Sequence, residues 1–320
     1  EGPGELSQPI SLAIGPGDTI WVTDFSNGRM TGYPQAGGDP RTIPFAEGSG
    51  IPGQRLAALD DGFITMFRPL FNFRRSGGSW SMSRGGDDDG SEGPPLLPVL
   101  RLTRSLEPVD TVWTTPEPPM DMVQLESAGR LMVTMMAREF YPEFQWAPFS
   151  DGGLVVSDSA AYVLHLLDAG GNRVRTVERG PAPRTATEAD RELARQRVRE
   201  ESESSIRIGG AGPDQETQER ILEQRLEKMT FDDLIPRVVS LAVDPADRIW
   251  VGVSEATPGE VERIDIYDRT GTLLGELRDF PVPDVFLGPD RIAVLRRDEL
   301  DVQQVVIMDV SGPETEVAGG

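Results

Sequence analysis

Two aspartates hold the same place in two copies of one pattern: Asp24 ends "IWVTD" and Asp158 ends "LVVSD". Carboxylates that repeated elements carry to one face supply the hard oxygen ligands a divalent cation takes. Asp24 and Asp158 are therefore the candidate metal ligands, and through metal-activated water the candidate centre of a hydrolase. The competing use is structural, since an Asp at a strand end accepts backbone N–H groups and closes its own turn; the other copies carry Met66 or Val253 there. A second acidic cluster, "GGDDDGSEG" at 85–93, fails calcium-loop spacing: with Gly90 sixth, the first and twelfth positions are Gly85 and Leu96. It reads as a solvated loop with Ca2+ at most an incidental cation, and no other cofactor is expected.

Other chemistries are missing their parts. The single histidine, His165 in "AYVLHLLD", has no G-x-S-x-G serine to serve and reads as a strand residue. With no cysteine, thiolate nucleophiles, disulfides and Cys-based metal sites are excluded. "GPG" and "GGAG" lack the Lys and the strand-to-helix setting of a phosphate loop. Aromatic and Arg side chains are instead concentrated in "FRPLFNFRRSGGSWSM" at 67–82 and "EFYPEFQW" at 139–146. Arg74, Arg75, Trp80, Tyr141 and Trp146 are the candidate contacts for a protein or glycan partner. The alternation of "FNF" equally suits a half-buried strand. The net charge of −22 argues against nucleic acid, and no apolar run reaches the roughly 18–20 residues of a membrane span.

The elements that must position these residues are strands. "SLAIGPGDTIWVTD" at 11–24 returns as "SLAVDPADRIWVGV" at 240–253, offset by 229. Each copy writes an alternating strand, a Gly/Pro/Asp turn and a mostly apolar strand. A third strand follows, "RMTGY" or "RIDIY", then a glycine turn and a short outer strand. Four antiparallel strands in about forty residues make one blade of a β-propeller. A full copy lies at 144–179, and weaker ones read "LAALDDGFITMF", continued by "PVLRLTRSLEPVDTVWTT", and "DVFLGPDRIAVLRRDELDVQQVVIMDV". "VQLESAGRLMVTMM" at 123–136 is too close to its neighbour for a whole blade. With 35 Gly and 27 Pro, the composition suits many short strands joined by turns.

The pattern is similar to the NHL-type repeat. "EGPGELSQPISLAIGPGDTIWVTDFSNGRMTGY", "FQWAPFSDGGLVVSDSAAYV" and "GPDRIAVLRRDELDVQQVVI" resemble bacterial six-bladed β-propeller proteins that are usually exported and mostly of unassigned role. The resemblance implies an all-β, NHL-like propeller, six-bladed when complete, with a first blade upstream of Glu1, and an extracytoplasmic location. Blades occupy 1–180 and 236–320 and belong to one domain. Between them, 181–235 is a helical insertion containing "TEADRELARQRVREESESS" and "QETQERILEQRLEKM". Thr187 with Asp190 fits an N-cap, Asp214 caps the second helix, and Leu222, Leu226 and Met229 share its docking face. The first helix has too few apolar residues to dock firmly, so the segment is either a docking arm or a solvated insertion. The reading that fits best is a non-enzymatic binding or assembly module for a protein or glycan; the alternative, by analogy with propeller lactonases, is a metal-assisted hydrolase or lactonase with the channel carboxylates Asp24 and Asp158.

Overall fold

The computed structural model describes residues 5–45, 51–68, 71–76, 79–84, 95–127, 130–206, 215–288, 290–297 and 302–310. The chain divides into two compact units, residues 1–117 with 168–172, and 118–167 with 173–320. In the first unit the opening pattern becomes a meander of β1 (Pro9–Gly15), β2 (Thr19–Asp24), β3 (Arg29–Tyr33) and β4 (Arg41–Pro44), paired in chain order. The second sheet joins β5 (Ile51–Ala58) and β6 (Gly62–Arg68) to β9 (Leu96–Thr103) and β10 (Pro108–Pro116). A separate hairpin, β7 (Phe71–Ser76) with β8 (Ser79–Arg84), is inserted between its second and third strands. The two weak repeat pieces flanking that hairpin are thus halves of one blade.

The second unit begins with β11 (Met120–Ser127) and β12 (Arg130–Ala137), which form a two-stranded sheet of their own. The third blade follows as β13 (Gln145–Pro148), β14 (Leu154–Ser157), β15 (Val163–Leu167) and β16 (Arg173–Glu178). After helices α1 (Glu188–Ile206) and α2 (Gln215–Glu227), the fourth blade is β17 (Val238–Val243), β18 (Ile249–Val253), β19 (Arg263–Tyr267) and β20 (Leu273–Arg278). The last sheet has three strands, β21 (Val285–Gly288), β22 (Arg291–Arg297) and β23 (Gln303–Asp309). The protein is therefore all-β of propeller type, with two helices. Within each unit the first strands of successive blades are neighbours, β1 beside β5 and β13 beside β17, as propeller packing requires. Five blades stand among the described residues, not the six expected. The segment between the second and third blades yields only the β11–β12 hairpin, whose strands recruit no further partner into their sheet.

The 229-residue repeat persists into backbone detail. β1 and β2 pair Pro9 with Asp24 and Ser11 with Thr23, bulging between; β17 and β18 pair Val238 with Val253 and Ser240 with Gly252, bulging at the same place. Asp18 and Asp247, equivalent in the turns that follow, both take positive φ, 54° and 58°, a region Asp tolerates better than most side chains. The repeated tryptophans are buried and reach the neighbouring blade. Trp21 meets Phe63 of β6 edge-to-face with centroids 4.9 Å apart, and Trp250 meets Phe286 of β21 at 5.4 Å. Gly32 makes the first of these possible, because a Cβ there would stand 2.8 Å from the Trp21 ring. Around Trp21 lies a core of Met30, Ile43, Phe63, Leu102 and Leu106. In the second unit Val155, Leu164, Leu166, Ile249, Val251 and Tyr267 fill the space between the third and fourth blades.

The helical insertion is held by polar and apolar contacts together. Thr187 and Asp190 form a reciprocal cap: Thr187 N–H and Oγ1 donate to Asp190 Oδ2 at 2.8 and 2.6 Å, and Asp190 N–H donates to Thr187 Oγ1 at 3.3 Å. Arg184 donates twice to the same carboxylate, at 2.6 and 2.7 Å. Leu222, Leu226 and Met229 pack as the sequence pattern indicated, but α1 docks as well, contrary to expectation, burying Ala194 beside Val198. Its cations supply what its thin apolar stripe lacks. Arg191 and Arg195 lie over the Phe231 ring at 5.9 and 5.2 Å, and Arg197 donates to the Pro258 carbonyl. The second helix's expected cap, Asp214, lies outside the described residues.

Trp21→Ala and Trp250→Ala should each cost about 3–5 kcal/mol, because each opens a cavity in a seam between blades; urea unfolding of the two variants measures this. The insertion should also respond to acid. Arg184, followed by the Thr187 donors, holds the Asp190 carboxyl well below the usual carboxylate range. Its contribution is thus present above the unfolded value of about 3.9 and lost as pH falls through the folded one. Hydrogen exchange across 184–206 should accelerate below about pH 4, and Asp190→Asn should show that acceleration already at neutral pH.

Candidate functional site

In the second unit, five strand ends meet at one edge of the third and fourth blades: β16 and β18 finish there, and β15, β17 and β19 begin. The chain departs for the helices at Gly180–Pro181 and returns at Arg237 beside this edge. Here lies a cleft of about 370 Å³, walled by Tyr162, Arg179, Arg237, Val253, Glu255 and Arg263 together with the Gly180–Pro181 turn. Three arginines thus converge in a protein of net charge −22.

Register creates a problem that the side chains solve. β19 and β20 set Arg263 opposite Arg278 and Asp265 opposite Glu276, like charges in the positions where they repel most. Glu255 bridges the first pair, binding Arg263 and, at 2.9 Å, Arg278. Arg179, reaching across from the end of β16, bridges the second, with Asp265 at 3.2 Å and Glu276 closer still. Asp265 is fully buried and is also held by Arg263 Nε at 2.7 Å. Beneath them Tyr162 donates to the Tyr267 hydroxyl at 2.9 Å. Arg237 differs from its neighbours. It donates to the carbonyls of Ser254, Glu255 and Ala182 at 3.4, 3.4 and 3.3 Å and makes no ion pair among the described residues.

These environments fix the protonation states. Burial, then the Tyr267 hydroxyl, pushes the Tyr162 phenol far above its ordinary value. Burial opposes the charge on Arg179, but Glu276, Tyr267 and Asp265 outweigh it and raise its affinity for the proton. Arg263 is raised against burial by Asp265 and Glu255, and Glu255 is held down first by its hydrogen bond from Arg278.

The residues singled out from sequence fall elsewhere. Asp24, in the first unit, is fully buried and accepts Ser7 N–H and Gln8 N–H, both at 2.9 Å, and Asn27 Nδ2 at 2.6 Å. Burial pushes its carboxyl up, but these donors outweigh it and leave the value lowered. Asp158, in the second unit, is half-buried just past β14, within electrostatic reach of Tyr141 and His165. His165 meets Thr176 Oγ1 at 3.1 Å on β16, and burial lowers its pKa, with Asp158 opposing. Among the described residues no three His, Asp or Glu side chains gather to hold a metal. Trp146 is a correction: only 3% exposed, it is a core residue of β13 and not a surface anchor, flanked by the buried Gln145 and Ala147. Tyr141 is half-buried, and burial, with Asp232 and Asp158, raises its pKa. Arg75 pairs with Trp80 across the β7–β8 hairpin and Arg74 with Ser81, while their side chains and the acidic run 85–93 lie outside the described residues. Sequence reasoning missed the arginine cleft. One signal was available: Asp265 stands where the first repeat has Thr31, a charge written into a buried strand position.

No known protein family matches the chain, and no curated protein matches it in sequence. Solved structures match it along most of its length. A protein of unknown function from Bacteroides caccae shares 11% identity over 94% of this chain and 78% of its own, with a TM-score of 0.36. Virginiamycin B lyase from Staphylococcus aureus shares 11% over 95% and 85%, also at 0.36. A calcium-binding regucalcin from Agrobacterium tumefaciens shares 13% over 94% and 86%, at 0.29. Likenesses this distant carry no argument, and the propeller assignment rests on the strand pairing above.

Asp265→Asn should destabilise the protein by about 3 kcal/mol, because it leaves two guanidinium groups short of a buried counter-charge. Tyr162→Phe, which removes one buried hydroxyl contact, should cost about 1 kcal/mol. Chemical denaturation of the two variants against the parent tests that order.

Proposed function

We propose that the protein is a non-enzymatic binding module built on NHL-like blades, working outside the cytoplasm and holding a protein or glycan partner. The observation that supports this reading is the fixed charge of the cleft. A general acid or base works best with a pKa near the operating pH. Here the phenol and two guanidinium groups are driven upward and the Glu255 carboxyl downward, so each keeps one protonation state across the physiological range. Such walls recognise charge without exchanging protons. The extracytoplasmic location is carried over from the resemblance of the repeats to exported propeller proteins. Rigid strands presenting side chains and loops at one edge suit a docking role.

The metal-assisted hydrolase needs Asp24 as a ligand, yet both its oxygens are engaged by Ser7, Gln8 and Asn27. Calorimetric titration with Ca2+, Mn2+ and Zn2+ separates the two readings. The expected result is no stoichiometric heat that depends on Asp24 or Asp158. One-to-one binding abolished in folded Asp24→Asn and Asp158→Asn proteins would replace the binding module with the hydrolase.

A further inference from the structure

We infer that the cleft of the second unit binds a single carboxylate presented by a glutamate-like side chain of a peptide partner, with Arg237 as its principal fork. The inference rests on the binding-module reading. Three arginines and a single glutamate line the walls; Glu255, Asp265 and Glu276 together balance Arg179, Arg263 and Arg278, which leaves the charge of Arg237 without a carboxylate. Within that lining the arginines are not equivalent. Arg263 is saturated by Asp265 and Glu255, whereas Arg237 makes only long bonds to three carbonyls. Its Nε–H is buried without an acceptor, and Arg179 Nη1, although 3.2 Å from Asp265, also makes no hydrogen bond. Buried donors without acceptors are costly. Both atoms belong to guanidinium groups that line one cleft, and of the two only Arg237 has no carboxylate nearby to offset the cost.

A guanidinium edge matches a carboxylate in a planar, bidentate contact and binds it more strongly than any neutral acceptor. The apolar part of the lining decides between a bare anion and an organic acid. Val253, Pro181 and the Tyr162 ring share the cleft with the arginines and would cover methylene groups that a free phosphate lacks. A volume of about 370 Å³, at the low end for ligand pockets, admits one long acidic side chain with its backbone and excludes a large cofactor. Glu255 is the natural competitor, since it already occupies Arg263 and Arg278 from inside the wall.

Calorimetry on the full chain with glutarate, its uncharged analogue glutaramide and inorganic phosphate tests this. Glutarate should bind one-to-one, glutaramide should give no heat, and phosphate should bind more weakly than glutarate. Arg237→Gln should weaken glutarate by about tenfold, the effect of losing one charge-assisted contact. Glu255→Gln, which removes the competing carboxylate and leaves Arg263 with Asp265 alone, should tighten it, so the inference stays testable if the Arg237 variant does not fold. Absence of glutarate binding, equal binding of glutaramide, tighter binding of phosphate, or weakened binding in folded Glu255→Gln protein would overturn the assignment. If glutarate fails while the metals stay silent, only the ligand class falls; a metal site at Asp24 and Asp158 would remove the underlying reading as well.

Discussion

Each of the two closest copies of the repeat drives one indole into the seam between its own blade and the next, and the blades around it depend on that wedge. A four-stranded sheet has two faces to cover and cannot cover either alone. Trp21 on Phe63 and Trp250 on Phe286 close these faces in the two units. In the fourth blade the wedge is tied to the turn beside it. Asp244 accepts Trp250 Nε1 at 3.0 Å while its other oxygen caps the N–H groups of Ala246 and Arg248, both at 2.9 Å. The position of the indole and the shape of the β17–β18 turn are therefore set by one carboxylate. The first copy has Gly15 at that place and closes the equivalent turn as a short 3-10 helix over Pro16–Asp18 instead.

The same economy explains where the acidic residues go. Asp168 and Asp268 use one oxygen each to hold two backbone N–H groups in the turns before β16 and β20. Gly171 and Gly271 take positive φ in those turns, 77° and 79°. Glu262 accepts the N–H groups of Glu255, Ala256 and Thr257 in the β18–β19 loop. That loop carries Glu255 into the cleft and offers the Pro258 and Ala256 carbonyls to Arg197 and Arg184 of the helical insertion. Loop, cleft wall and insertion consequently share one scaffold, and a carboxylate facing backbone amides is what shapes it.

Blade architecture was legible because a blade is a local object. Its strands follow one another through tight turns, so alternation, Gly271, Asp18 and Asp247 announce it within a few dozen residues. The break in the second blade was legible only in part: the pieces at 56–67 and 98–115 were recognisable, and their union in one sheet matches the order in which they were read. Docking of α1 was illegible for a different reason. Its hold comes from Arg191 and Arg195 over Phe231 and from Arg197 on a carbonyl, and a hydrophobic period does not register cations as docking groups. The cleft was least legible of all. Arg179 and Arg237 are 58 positions apart and become neighbours only because the helices leave and return at one edge of the sheets.

A basic cleft in a strongly acidic protein is a matter of distance. The field of 53 acidic against 31 basic residues acts on an extended polyanion all along its length, and such a ligand would have to overcome it at every phosphate. A single carboxylate experiences that field only over about a Debye length, roughly 10 Å at ordinary ionic strength. At contact the fork of Arg237 dominates, because attraction over a few ångströms exceeds the screened field of distant charges. The acidic surface thus acts as a filter on what reaches the cleft, rejecting polyanions while leaving one isolated carboxylate able to bind. Specificity of this kind needs one arginine that has no carboxylate partner of its own. The cross-strand bridges of Glu255 and Arg179 take up Arg263, Arg278, Asp265 and Glu276, and Arg237 keeps backbone carbonyls as its partners.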